Sequence, residues 1–401
     1  MMKKRLCFVV LCSFLFGFVL SGCTNATENA TEQSSAQTEQ EPVKTPEQIK
    51  AENINQILAD MTIEEKVGQL LMMDFRKNAD DTDMTVLSED AAQQIADYHL
   101  GGVILFAENL DTMEQSQMLV NQMQAAADME LFIGIDEEGG MVSRLDKSQI
   151  PHVSIPNAAQ MQGDIAQAKQ AGADIGTVLS KIGVNVDFAP VADVYTNPEN
   201  TVIGERAYGT DANAVADMAT AFMQGLEAQG VKAVAKHFPG HGDTATDSHD
   251  GMAISNHDLT RLQDVEFVPF SRLVQEGIDF VMVGHITMPQ VTEDGLPASL
   301  SSQAIALLRE NIGFDGIVIT DAMNMGAIVS YYPDGQAAVQ AIQAGVDIVL
   351  MPADLEAAYL ALLDAVGKGE ISQTRLDESV RRILEVKYDC GMLLEYGVET
   401  Q

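Results

Sequence analysis

Short apolar runs recur along the chain from residue 70 onward. They are Leu70–Met73, Gly102–Phe106, Leu131–Ile135, Val184–Phe188, Val231–Ala235, Phe280–Val283, Gly316–Ile319 and Val346–Met351. Each is rich in Val, Ile, Leu or Phe and shows no alternation of polar with apolar residues. Strands covered on both faces read this way, whereas a half-exposed sheet alternates. Between most runs lie stretches of helical length and pattern. Asp164–Lys181 and Asp211–Gln229 are rich in Ala and break at Gly. Leu376, Val380, Ile383 and Leu384 fall at i, i+4, i+7 and i+8, the stripe of an amphipathic helix. Thr62 followed three residues later by Glu65 marks a capped helix start. Eight strands with helical crossovers predict an α/β fold, a (β/α)8 TIM-type barrel forming a single catalytic domain over residues 47–396. A doubly wound sheet is the alternative that shares this alternation.

The first 46 residues break the pattern. Lys3, Lys4 and Arg5 precede an apolar run from Leu6 to Leu20 that closes on Leu20-Ser21-Gly22-Cys23. The run is short of the roughly 20 residues that a transmembrane helix needs, and small residues precede a cleavage point. Residues 1–22 are therefore expected to be a signal peptide. The cysteine in that place resembles a bacterial lipobox, which implies lipidation of Cys23. An uncleaved anchor helix is the alternative, and both place the domain outside the cytoplasm on a membrane. Residues 23–46 are mainly Thr, Glu, Gln, Ser, Ala and Asn, with one Val and no aromatic residue. They are read as a flexible tether, because too little surface is available to offset the entropy of ordering.

Composition removes several functions. Asp and Glu number 59 against 23 Lys and Arg, a formal charge of −36. Loss of the three leader cations takes it to about −39. No basic surplus exists to displace phosphate counterions, so nucleic acid is not an expected partner. Electrostatic docking on anionic lipid is disfavoured too, which leaves the lipid anchor as the membrane contact. Cysteines stand at 7, 12, 23 and 390, which is no disulfide framework, and Cys390 reads as a buried structural thiol.

In a barrel of this kind chemistry sits at the C-terminal ends of the strands. Asp136-Glu137-Glu138-Gly139-Gly140 and Arg144 follow the third run, and Asp187 and Asp193 follow the fourth. The fifth leads into Lys236-His237-Phe238-Pro239-Gly240-His241-Gly242-Asp243-Thr244 and then Asp247-Ser248-His249. The sixth ends at His285 and the seventh at Thr320-Asp321. Asp321 stands where a rigid strand would hold a nucleophile, and also where an Asp caps the next helix. Asp247 and His249 lie in a polar segment. An imidazole can give and take a proton near neutrality, and a neighbouring carboxylate can orient it, although a solvated loop has the same composition. His237 and His241 are four apart, as in zinc helices, but Pro239 and Gly240 between them break helical spacing, so a metal centre with Asp243 and Asp247 is a lesser alternative.

Taken together with Met61 through Gln69 and Val202-Ile203-Gly204-Glu205-Arg206, these segments resemble the family 3 glycoside hydrolases over roughly residues 50–395. Within that family the Lys236–Thr244 stretch with Asp247-Ser248-His249 resembles the β-N-acetylglucosaminidases of the NagZ type. The resemblance implies that Asp321 is the nucleophile, forming a covalent glycosyl-enzyme. It implies that His249 is general acid and then base, with Asp247 as its partner. Asp136, Arg144, Arg206, Lys236 and His237 match positions that bind the sugar, although Arg206 could instead brace Asp187 or Asp193. Three departures are Glu137, where the family often has Gln, Met141, where it often has Arg, and Met252 in Asp250-Gly251-Met252, near which Leu-Pro is usual. Gly240, Gly242 and Gly251 suggest a loop that swings His249 inward. The implied activity is retaining removal of terminal β-linked N-acetylglucosamine, from peptidoglycan fragments or chitin-like oligosaccharides, with no metal or organic cofactor. A monomer is expected. The rivals are a non-catalytic sugar-binding lipoprotein on the same fold and a β-N-acetylglucosaminide phosphorylase. The chain has no Trp and only 5% aromatic residues, which suits a pocket for one sugar better than a long stacking cleft.

Overall fold

The computed structural model describes residues 44–244, 253–333 and 335–396. The expected signal peptide, Cys23 and the tether up to residue 43 lie outside them, as do Asp247, His249, Gly251 and Met252, whereas Thr45 and Pro46 at the end of the expected tether cap and begin the helix Pro46–Asp60. Among the described residues ten strands occur in the order β1 (Leu71–Asp74), β2 (Gly102–Leu105), β3 (Phe132–Ile135), β4 (Val186–Asp187), β5 (Lys232–Phe238), β6 (Ala253–Ile254), β7 (Phe280–Val283), β8 (Ile286–Thr287), β9 (Ile317–Thr320) and β10 (Val349–Leu350). Eight of them form one parallel sheet in the order β10-β1-β2-β3-β4-β5-β7-β9, and a bridge between Ile319 and Ile348 closes it into a barrel. The eight apolar runs supply these eight strands, which places the chain in the α/β TIM-barrel class. β2, β3, β7 and β9 are buried at every residue, as unbroken apolar runs require.

Helix starts follow local chemistry. Thr62 and Glu65 bond reciprocally at the head of the helix Ile63–Gln69. Asp164 and Asp211 cap the helices Ile165–Ile182 and Ala212–Glu227 by accepting backbone N–H bonds. The first of these ends on Gly183 at φ 97°, a left-handed position where a side chain would be strained. The final helix, Gln373–Asp389, buries Leu376, Val380, Ile383 and Leu384 on one face. Cys390 beyond it is a free thiol, expected to be buried and in fact half-buried against the core, because it sits at the C-cap where the apolar stripe ends.

The end of the barrel opposite the strand C-termini is tied by charge. Asp347, fully buried ahead of β10, accepts from Arg309 at 2.7 Å and Arg382 at 3.3 Å, and from the Ser379 hydroxyl at 2.6 Å. Lys387 is also fully buried; its Nζ donates to Gln69 at 2.7 Å and lies 5.1 Å from the Phe132 ring centroid. Among the described residues no carboxylate hydrogen-bonds this ammonium, and desolvation, partly offset by the charge of Glu130, pushes Lys387 down to about 7. Two features escaped the apolar pattern. β5 continues past Ala235 to Phe238, and β6 pairs with β8 in a two-residue parallel ladder.

Candidate active site

Asp136, Arg144, Arg206, Lys236, His237 and Asp321 line one cavity of about 620 Å³ at the C-terminal mouth of the barrel. β5 explains how two of them reach it. Adjacent residues of a regular strand face opposite sides. Here the pairing of β5 with β7 shifts register between Ala235 and Phe238, and both Lys236 and His237 line the cavity. The peptide bonds Lys236–His237 and Phe238–Pro239 are cis.

The charged groups form one connected set. Asp136 accepts from Lys236 at 2.7 Å and from Arg144 at 3.2 Å. Glu138 takes two bonds from Arg206, at 2.7 and 2.9 Å, and pairs with Lys236 at 2.7 Å. Burial raises the Glu138 carboxyl, yet the adjacent Arg206 and Lys236 outweigh it and hold the group well below the usual carboxylate range. Lys236 is buried too, and Asp136 and Glu138 together keep its ammonium above its ordinary value against desolvation. Arg206 therefore hydrogen-bonds neither Asp187 nor Asp193, although it lies within the charge of Asp193; its bonded carboxylate is Glu138, 68 positions earlier in the chain. Asp187 turns away and accepts the Glu137 backbone N–H at 2.9 Å, and burial pushes its carboxyl well up.

Asp193 organises the histidines. One carboxylate oxygen accepts the backbone N–H groups of His237 at 3.2 Å and His241 at 2.6 Å, and the other meets His237 Nδ1 at 2.8 Å. With Nδ1 engaged, Nε2 is the atom His237 offers to the cavity. His241 Nδ1 lies 2.6 Å from the Thr244 hydroxyl. Both Nδ1 atoms are thus engaged by protein partners, and among the described residues no three His, Cys, Asp or Glu side chains are grouped to hold a metal ion.

Asp321 follows β9 directly. Its backbone N–H donates to Val283 and one carboxylate oxygen accepts the Ala322 N–H at 2.8 Å. Burial raises its carboxyl, but the neighbouring His237 and His285 and the Ala322 bond bring it below its ordinary value, so it is ionised at neutral pH. His285 donates from Nε2 to the Ala322 carbonyl at 3.0 Å and meets Ser299 at 2.8 Å on the other nitrogen, which steadies the turn that carries Asp321.

Of the three departures Met252 lies outside the described residues, and the other two separate cleanly. Glu137 is buried and accepts the backbone N–H groups of Arg144 at 2.7 Å and Leu145 at 3.0 Å, so it shapes the loop that presents Arg144 and does not line the cavity. Met141 is 64% exposed and does not line it either. A Cβ on Gly242 would collide with the Val194 carbonyl oxygen, so close backbone packing explains that glycine. Sequence reading missed Glu138 as a site residue. The one available signal was its place two residues from Asp136 in a run of three acids.

This constellation sits inside the region matched by a protein-family model, the glycosyl hydrolase family 3 N terminal domain, over residues 62–386. The chain belongs to glycosyl hydrolase family 3. Among family 3 relatives it is 35% identical over 366 residues to "Beta-hexosaminidase A" of Pseudoalteromonas piscicida, covering 82% of this chain and 61% of that protein. It is 36% identical over 333 residues to "Beta-hexosaminidase LpqI" of Mycobacterium tuberculosis, covering 80% and 82% respectively. A solved family 3 β-N-acetylglucosaminidase from a Paenibacillus species is similar at a TM-score of 0.78 and 39% identity, over 85% of this chain and 64% of that one. The chain thus spans less than two thirds of some of its family 3 relatives and most of others.

Proposed function

We propose that this family 3 protein is a retaining exo-β-N-acetylglucosaminidase. Asp321 attacks the anomeric carbon and forms a glycosyl-enzyme. His249, supported by Asp247, protonates the departing oxygen and then removes a proton from the incoming water. Asp136, Arg144, Arg206, Lys236 and His237 hold the hydroxyl and N-acetyl groups of one terminal sugar. The observation that carries this reading is the convergence of an ionised carboxylate at the end of β9 with a connected acid–cation set in a single polar cavity. Such a set is ordered before any ligand arrives, so little is lost in orienting it. Relatives named beta-hexosaminidase at 35–36% identity support the sugar assignment. Cleavage before Cys23 and lipidation there would display the enzyme outside the cytoplasm as a membrane-anchored monomer.

The test is covalent trapping. Incubation with a fluorinated N-acetylglucosaminide that has a good leaving group should add one sugar mass to the peptide holding Asp321. Asp321→Asn should abolish both the adduct and turnover of 4-nitrophenyl N-acetyl-β-glucosaminide. A rapid turnover in Asp321→Asn, or an adduct elsewhere, removes the assignment. A solved structure titled "Beta-glucoside phosphorylase BglX" is similar at 25% identity and a TM-score of 0.75. Phosphorolysis is therefore the second reading, distinguished by a sugar 1-phosphate product when phosphate is added.

A further inference from the structure

A second polar cavity opens at the end of the barrel far from Asp321. It holds about 470 Å³ beside the residues that precede β9 and β10, and Arg309, Arg375 and Arg382 all line it. Three of the chain's 23 Lys and Arg residues thus share one recess of a protein whose formal charge is −36. One fully buried carboxylate gathers them. Asp347 lies 2.7 Å from Arg309, 3.3 Å from Arg382 and 3.6 Å from Arg375. Backbone carbonyls fix each guanidinium further. Arg309 donates to Phe314 and Gly316, Arg375 to Ile342 and Val346, and Arg382 to Asp315. A guanidinium has more donors than these bonds use, so each keeps an N–H that meets no oxygen among the described residues. Arg309 Nε in particular bonds no oxygen among them and is reached by solvent.

The charges do not balance. Among the groups held away from water, three guanidiniums meet one carboxylate, which leaves two positive charges unanswered. Desolvation and the charge of Arg382 hold Arg309 and Arg375 below their ordinary value even with Asp347 beside them. Glu310, Asp315 and Glu378 also line the cavity, but all three are exposed, Asp315 to 97%. Exposed carboxylates are screened by water and salt, so they cancel little of the inner surplus. A phosphate group with two ionised oxygens, about −1.5 to −2 near pH 7, answers such a surplus. Planar forks that are already fixed take its oxygens in pairs. A carboxylate or a phosphodiester would leave one positive charge over.

We propose that the recess formed by Arg309, Arg375 and Arg382 is a binding site for a phosphate dianion, as the free ion or as a phosphomonoester, separate from the sugar cavity. The test is titration calorimetry of the full chain with inorganic phosphate, at an ionic strength held constant with sodium chloride. Wild type should bind phosphate saturably. Arg382→Gln should weaken the affinity roughly tenfold or more, and Arg382→Lys should fall between, because it keeps the charge and loses the fork. A cooperative thermal transition shows that each variant is folded; if the glutamine variant is not, the lysine variant carries the comparison. Arg206→Gln, at the catalytic mouth, should bind phosphate as wild type does. Dimethyl phosphate, with its single charge, should bind roughly tenfold more weakly than phosphate. Glycerol 3-phosphate separates the two sources: tighter binding than phosphate supports a phosphomonoester, and weaker binding supports the free ion. Absence of phosphate binding, or binding that both Arg382 variants leave intact, overturns the assignment. So does loss of binding in Arg206→Gln, which would put the anion at the sugar cavity, or dimethyl phosphate binding as tightly as phosphate.

Discussion

Glu138→Gln tests the idea that paired charge, and not packing alone, orders the site. The Glu138 carboxylate is 7% exposed and takes two bonds from Arg206 and one from Lys236. Glutamine keeps the shape but presents an NH2 group to one of those donors and leaves the mouth one positive charge in surplus. Removing one partner of a buried ion pair costs about 3–5 kcal/mol. The lower end applies here, because Lys236 keeps Asp136 at 2.7 Å and Arg206 keeps the Val202 carbonyl at 3.1 Å. Urea denaturation at pH 7 should therefore show a loss near 3 kcal/mol. The pH dependence gives a second check. The folded carboxyl lies well below its ordinary value of 4.5, so its contribution is fully present above about pH 4.5 and is lost as pH falls toward the folded value. The gap between wild type and Glu138→Gln should stay constant from pH 5.5 to 8 and narrow below 4.5. In kinetics, loosened Arg206 and Lys236 should lower kcat/KM on 4-nitrophenyl N-acetyl-β-glucosaminide about a hundredfold. A variant within about 0.5 kcal/mol of wild type, with kcat/KM changed less than twofold, would refute the reasoning.

Lys387→Met should stabilise the protein. The buried ammonium titrates near 7 against an ordinary 10.5, an upper bound of roughly 5 kcal/mol in lost stability below pH 7, offset by about 1–3 kcal/mol for the Gln69 oxygen left unbonded. Since the unfolded chain holds this proton and the folded chain does not between about pH 7 and 10.5, wild-type stability should rise with pH across that window relative to Lys387→Met. Denaturation at pH 6 and 9 checks this; a gap between the two proteins independent of pH contradicts it. Asp193→Asn should lower kcat more than KM, because Asp193 carries His237 and the turn to His241 while lining no part of the cavity. Steady-state kinetics with unaltered kcat would show that the turn holds itself. Cys23→Ala should move the protein from membrane to soluble fractions without altering its specific activity, and an unchanged membrane fraction would point to an uncleaved helix.

Much of the architecture is written in local pattern. Eight unbroken apolar runs become the eight barrel strands because each must be covered on both faces, and that demand is visible within a handful of neighbouring residues. Helix starts at Thr62, Asp164 and Asp211 are legible for the same reason, since a cap acts over three residues. The positions of Asp136, Lys236 and Asp321 at strand ends follow once the barrel is assumed. The partners of those charges do not follow. Arg206 finds Glu138 across 68 positions, and Lys236 finds Asp136 across 100, because barrel closure and the shifted register of β5 bring them together. The buried ammonium of Lys387 and the Phe106 ring carrying the Arg76 and Arg144 guanidiniums are equally invisible along the chain. Burial of apolar residues is decided by neighbours in sequence. Which charge meets which is decided by distance and desolvation in three dimensions, and only the closed barrel sets those.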